Sequence, residues 1–187
     1  AKVTSTMIHT WGEEVEVFPR TCTVVEEGGT FLSNYVCMKP TKMVQMYPTA
    51  YLKGEGAVAR FSGVVVAGTG SYVDTGSRAV LQAPNTSAEL VTRAITNGGT
   101  IISRGAVVAE CPKTKGHIEC RGLILKDGVM HAIPEIEGHV VDVELSHEAA
   151  VGKIARDEIE YLMARGLSEE EATATIIRGF LDIKIEG

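Results

Sequence analysis

Between Lys2 and Glu148 the chain is a succession of short runs rich in valine, isoleucine and threonine, cut at close intervals by small turn-forming residues. The runs include Val15 to Phe18, Ala59 to Ala67, Ala79 to Gln82, Thr100 to Ser103, His117 to Leu125 and His139 to Leu145. β-Branched side chains sit well on a pleated, half-buried surface, so each run is expected to be a strand. Turn signals separate them at Gly28-Gly29, Gly54-Glu55-Gly56, Gly68-Thr69-Gly70, Asn97-Gly98-Gly99, Lys115-Gly116, Lys126-Asp127-Gly128 and Glu137-Gly138. Many short strands fit a sandwich, an up-and-down barrel or a β-solenoid. Two features lean toward the solenoid. Most runs lack strict apolar-polar alternation, and the turns use Gly, Thr, Ser and Asn in irregular settings, as corners between stacked rungs do. No repeat period is legible in the sequence.

With 187 residues, 44% of them apolar and 22% charged, the chain can bury a substantial core as one domain with an appendage. The net charge is −6 and the basic residues are scattered, so no stripe exists to neutralise a phosphate backbone, and nucleic acid is not an expected partner. Uninterrupted apolar runs such as Val64 to Ala67 fall far short of the roughly 20 residues a membrane helix needs. No membrane association is expected, no signal-like start precedes Val3, and a cytoplasmic location is the natural reading. Cys22, Cys37, Cys111 and Cys120 show no CxxC spacing, which argues against a disulfide framework or a structural zinc site within one chain.

The tail reads differently. From Gly152 to Arg165, Ala155, Ile159, Leu162 and Met163 recur at the spacing of one helical face, and Gly166 can end the helix in the left-handed conformation. Ser168 and Glu171 form a capping box for a second helix, whose face is Ala172, Ile176, Gly179 and Phe180. Such helices either fold back to cap an open end of the β body, which terminal repeats of solenoids require, or dock a partner. On physical grounds alone the cap is favoured. His147 and Glu148 fall at the expected changeover from strand to helix.

Four blocks carry a family likeness: Tyr47-Pro48-Thr49 with Lys53-Gly54-Glu55-Gly56; Asp74-Thr75-Gly76-Ser77; Thr100-Ile101-Ile102-Ser103-Arg104-Gly105; and Ser146 to Ile154 followed by Arg165 to Ala172. Together they resemble the SufB/SufD family, scaffold components of an iron–sulfur cluster assembly system, and the last block is the most specific. The resemblance implies a right-handed parallel β-helix over residues 1–149, followed by a short C-terminal α-helical segment, 150–187. It further implies pairing as a homodimer or SufB/SufD-type heterodimer, a sulfur donor protein, and docking of a SufC-like ABC ATPase on the helices. Ile159, Leu162, Met163, Ile176 and Phe180 are then the partner-binding residues. Family members carry a helical region ahead of the β-helix, whereas this chain begins among strands, as a fragment or a compact form would.

By the same resemblance Cys120 matches the cysteine that receives sulfur and holds a nascent cluster in SufB proteins. Glu148 matches a SufB glutamate near that site, and His147 matches the histidine SufD proteins bring to the shared interface. Thiolate is a soft ligand and nucleophile, imidazole suits iron, and carboxylate is a harder ligand, so the three would make a loosely held, transient iron–sulfur cluster site between chains. Each has a plainer reading: Cys120 as a buried inert thiol, His147 as a backbone hydrogen-bonding group, Glu148 as a first-turn acid. The chain is expected to be a scaffold and not an enzyme. The alternative is a structural, non-cluster-binding SufD-like partner. A β-helix enzyme needs a groove of clustered acids, bases or aromatics, which 5% aromatic content disfavours. No GxxxxGK[ST] pattern is present, so nucleotide hydrolysis would belong to a partner.

Overall fold

The computed structural model describes residues 1–181. The strands, in order, are β1 Lys2–His9, β2 Glu16–Val17, β3 Cys22–Val25, β4 Thr30–Cys37, β5 Met43–Met46, β6 Thr49–Leu52 and β7 Val58–Gly68. They continue with β8 Tyr72–Leu81, β9 Ser87–Asn97, β10 Thr100–Ala109, β11 Thr114–Leu125, β12 Val129–Gly138 and β13 Val143–Lys153. Two helices follow, α1 Arg156–Met163 and α2 Glu169–Leu181. One sheet runs β1-β4-β7-β9-β11-β13; the other runs β12-β10-β8-β5-β2, with β6 on β8 and β3 on β6. Successive long strands alternate between the sheets and pair in parallel, so the chain winds as a β-solenoid, as expected.

A repeat hidden in the sequence is plain in the register. Lys2 pairs with Thr30, Thr30 with Val58, Val58 with Ser87, Ser87 with Lys115, and Thr114 with Val143, so each turn takes 28 or 29 residues. One corner is turned each time by a residue with positive φ: Gly28 at 60°, Gly56 at 68°, Asn85 at 58°, Lys113 at 58° and Asp142 at 63°. The conformation repeats while the residue type does not.

Along the interior, residues two apart share the luminal face. One apolar cluster holds Ala59, Phe61, Leu81, Leu90, Val107 and Ile118. A second holds Tyr35, Val44, Met46, Val65, Val73 and Ile101. Between them lies a seam of small and polar side chains. On one sheet Gly63, Thr92 and Cys120 stack in register. On the other, Thr75 and Ser103 do so. A cavity of about 30 Å³, room for one water, lies in this seam beside Ser33, Gly63, Thr75, Ser77 and Thr92.

Gly54 sits where two corners stack. A Cβ there would overlap the backbone nitrogen and Cα of Glu27 in the rung beneath, while its own N–H donates to Val25 O at 3.2 Å. Gly54→Ala is therefore expected to destabilise the fold by about 1–3 kcal/mol, the range for forced overpacking. A thermal unfolding midpoint equal to wild type would show that the corner yields freely.

The tail departs from expectation at its start. The run His139 to Leu145 is broken by the corner at Asp142, and the strand that follows continues to Lys153, where a helix was expected from Gly152. The reason is the ladder: β11 extends to Leu125, and pairing Leu123 with Gly152 and Ile124 with Lys153 holds that stretch extended. The boundary placed at residue 149 thus falls inside β13. Ala155, itself extended, precedes α1. Gly166 takes φ 99° beyond the helix end, as expected. The capping box also forms: the Glu171 N–H donates to Ser168 Oγ at 3.3 Å, and Glu171 accepts from the Ser168 backbone N–H and hydroxyl at 2.8 Å each. Those bonds hold the Glu171 carboxyl below its ordinary range.

Candidate functional site

Cys120 lies at the middle of β11, one rung from the open end of the solenoid. It is 5% exposed, and its thiol donates to Ser103 Oγ at 3.1 Å across the lumen. Burial pushes the thiol above its ordinary range, opposed in part by the Ser103 hydroxyl and by Arg93. In the rung above, its register partner is Ala149, while Ala132 stands over Ser103. Only small side chains therefore stand between the thiol and the open end.

His147 and Glu148 are not at a strand-to-helix junction; they lie within β13. Parallel register stacks His147 on Ile118, a buried luminal residue, so the imidazole belongs to the luminal row, exposed because no described rung follows it. Glu148 stacks on Glu119, on the other face of the sheet. There it accepts from Arg121 Nη2 at 3.0 Å. Arg121 Nε bonds Glu119 at 2.7 Å, and Glu119 in turn accepts from the buried Arg93 at 2.8 Å. Within one chain, then, Cys120 and His147 share the lumen and Glu148 is separated from them by the sheet. Among the described residues no group of three or more His, Cys, Asp or Glu side chains is placed to hold a metal ion.

Arg93, Ser103 and Arg121 went unnoticed in the sequence as members of this site. Ser103 and Arg121 stand inside or beside blocks already singled out, but which face each occupies depends on a register that needs the repeat. Among the other cysteines, Cys22 is exposed, Cys37 is buried in the second apolar cluster, and Cys111 is half-buried with its thiol on Gln82 O at 3.3 Å. All four are free.

Among the described residues nothing caps the open end. Ile136 and Val151 are 38% and 39% exposed, and Ala149 is also exposed. The helices lie instead beside the corner where β9 and β11 end, across a groove floored by Ile124, Leu125, Ile154, Ile159 and Ile177. On their outer side, Tyr161, Leu162 and Ile176 line a shallow depression with Asp157 and Glu158. Tyr161 is 59% and Met163 37% exposed. Leu162, Ile176 and Phe180 are half-buried. Among the described residues no helix is long and apolar enough to cross a membrane.

Fold and side chains together define a parallel β-solenoid with a buried thiol and an exposed imidazole at one open end. Residues 1–180 match the family model of the SUF system FeS cluster assembly SufBD core domain. An Archaeoglobus fulgidus protein named as an iron–sulfur cluster assembly SufBD family protein is 54% identical over 188 residues, covering 100% of this chain and 51% of its own length. A relative of the same description from Methanothermobacter thermautotrophicus strain Delta H is 47% identical over 189 residues, 100% of this chain and 46% of its own. One from Pyrococcus horikoshii is 38% identical over 184 residues, 97% of this chain and 41% of its own. The chain belongs to the SufBD family of iron–sulfur cluster assembly proteins, and it spans about half the length of these relatives.

Proposed function

We propose that this chain forms the core of a scaffold on which a transient iron–sulfur cluster is assembled between two chains, with a SufC-like ABC ATPase docked on α1 and α2. The observation that carries this reading is the placement of Cys120 and His147 on one luminal face at an end that no described residue caps. Stable clusters ordinarily take four thiolates, or two with two imidazoles. One chain offers a single luminal thiolate here, so a second chain must complete the ligand set, as a homodimer or with a SufB/SufD-type partner. Among the described residues β13 is the last strand of its sheet, and that edge suits such pairing. Loose, shared ligation is what a scaffold that must hand its cluster on requires. The cluster is cargo, sulfur arrives from a donor protein, and four free thiols suit a reducing cytoplasm.

In this reading Cys120 supplies the thiolate and His147 an imidazole. Glu148 contributes from the outer face, toward the partner chain or through its bond to Arg121. The burial of Cys120 and its bond to Ser103 favour a second reading, a SufD-like structural partner whose thiol stays inert. Anaerobic reconstitution with ferrous iron and sulfide, with and without an ABC-type ATPase, separates the two. Bound iron and sulfide with visible absorption support the scaffold; a folded, ATPase-bound chain free of both supports the structural partner.

A further inference from the structure

The two halves of β13 are held differently. On the luminal side Val143 and Leu145 pack against the apolar core, whereas His147, Ala149 and Val151 are exposed. On the outer side Lys115 pairs with Glu144 at 2.9 Å, His117 Nδ1 with Ser146 Oγ at 2.9 Å, and Arg121 with Glu148 at 3.0 Å. The first half is therefore anchored on both faces. The second half, residues 147–153, has its backbone ladder and, among the described residues, one side-chain bond to β11, that of Glu148. This half-strand includes Ala149, which stands over Cys120, and it runs through Ile154 and Ala155 directly into α1. Its anchor is firm on one side only: Arg121 is fixed from beneath by Glu119, itself tied to the buried Arg93, whereas the Glu148 side chain is 56% exposed.

We propose that Arg121 and Glu148 are positioning residues that latch residues 147–153 over Cys120, so that release of this one ion pair lets the half-strand lift and opens the thiol to reagents from the end of the solenoid. The purpose of such a latch rests on the scaffold reading, in which Cys120 must be reached by a sulfur donor; its mechanics do not. Exposed ion pairs contribute little, roughly 0.2–1 kcal/mol, and local opening follows the same balance. Loss of the latch should therefore raise the open population about 1.4- to fivefold, converted at 1.4 kcal/mol per tenfold.

The test uses the full chain with Cys22, Cys37 and Cys111 changed to serine, and measures the rate at which Cys120 releases thionitrobenzoate from dithiobis(nitrobenzoate). Arg121→Gln and Glu148→Gln should each accelerate the reaction about 1.4- to fivefold, and the double variant no more than either alone. A matched chain retaining only Cys37, buried in the second apolar cluster, should react at one rate with or without Arg121→Gln. An unchanged Cys120 rate, additive effects, or equal acceleration at Cys37 would each overturn the latch, the last by showing general loosening. Should the serine background fold poorly, hydrogen exchange on the chain with its cysteines intact decides the matter. Arg121→Gln should then lower protection at residues 147–153 and leave 143–146 unchanged. Neither readout involves a cluster, so failure of the scaffold reading would leave both intact.

Discussion

Cys120→Ser is expected to reduce iron and sulfide retained after anaerobic reconstitution to the level of a no-protein control, and to remove the visible absorption of the cluster. Serine is nearly the same size as cysteine, and Ser103 and Thr92 already make this part of the lumen polar, so the solenoid should fold as before. What is lost is the soft sulfur that, on the scaffold reading, would hold iron and accept sulfur from a donor. The wild-type reaction should also depend on pH. Burial holds the thiol above its ordinary range, so the thiolate fraction, and with it the rate of cluster capture, should rise as pH is raised from neutrality toward that range. Full cluster content in the serine variant would exclude Cys120 as a ligand and leave the structural-partner reading in possession.

The second large effect is expected at the helices. Leu162→Asp and Ile176→Asp should each weaken binding of the ABC-type ATPase by thirtyfold or more, as loss of an interface hot spot of about 2 kcal/mol or greater would do. Both side chains border the depression beside Tyr161, where apolar surface lies open on the side away from the solenoid body. Met163→Asp, at a more exposed position, should show the same direction with less risk to the packing of α1 on α2. Ile159 is a poorer probe, because it lines the groove between the helices and the β body and its substitution would test seating of the helices. Titration calorimetry with far-UV circular dichroism separates lost binding from lost helix. Unchanged affinity in all three variants would mean that the ATPase docks elsewhere.

Much of the architecture was legible before any coordinates. Most of the valine, isoleucine and threonine runs became strands because β-branched residues favour a pleated surface, and Ser168 with Glu171 capped α2 through bonds local to one turn. The repeat was hidden because the left-handed corner position is filled in turn by Gly28, Gly56, Asn85, Lys113 and Asp142. A shared φ leaves no shared letter. Without the period of 28 or 29 residues, nothing told which residue stands over Cys120 or that Glu148 faces away from it. The early helix start was misplaced for a related reason. Residues 147–153 have the composition of either element, and pairing with β11, invisible locally, decides for the strand.

Pro134 carries a consequence for how many copies can join. It lies in β12, the last strand of its sheet, and brings no N–H to a strand laid alongside, while β13 ends the neighbouring sheet with an ordinary backbone. A stack that carried the solenoid on across this end would need both sheets to continue at once, and proline stands against that on one of them. Two copies meeting edge to edge along β13 need only the permissive sheet, and a twofold axis uses up both edges in the same contact. On the proposed pairing, Pro134 thus favours a closed pair at this end over an endless fibre, the standing hazard of any protein built from parallel rungs.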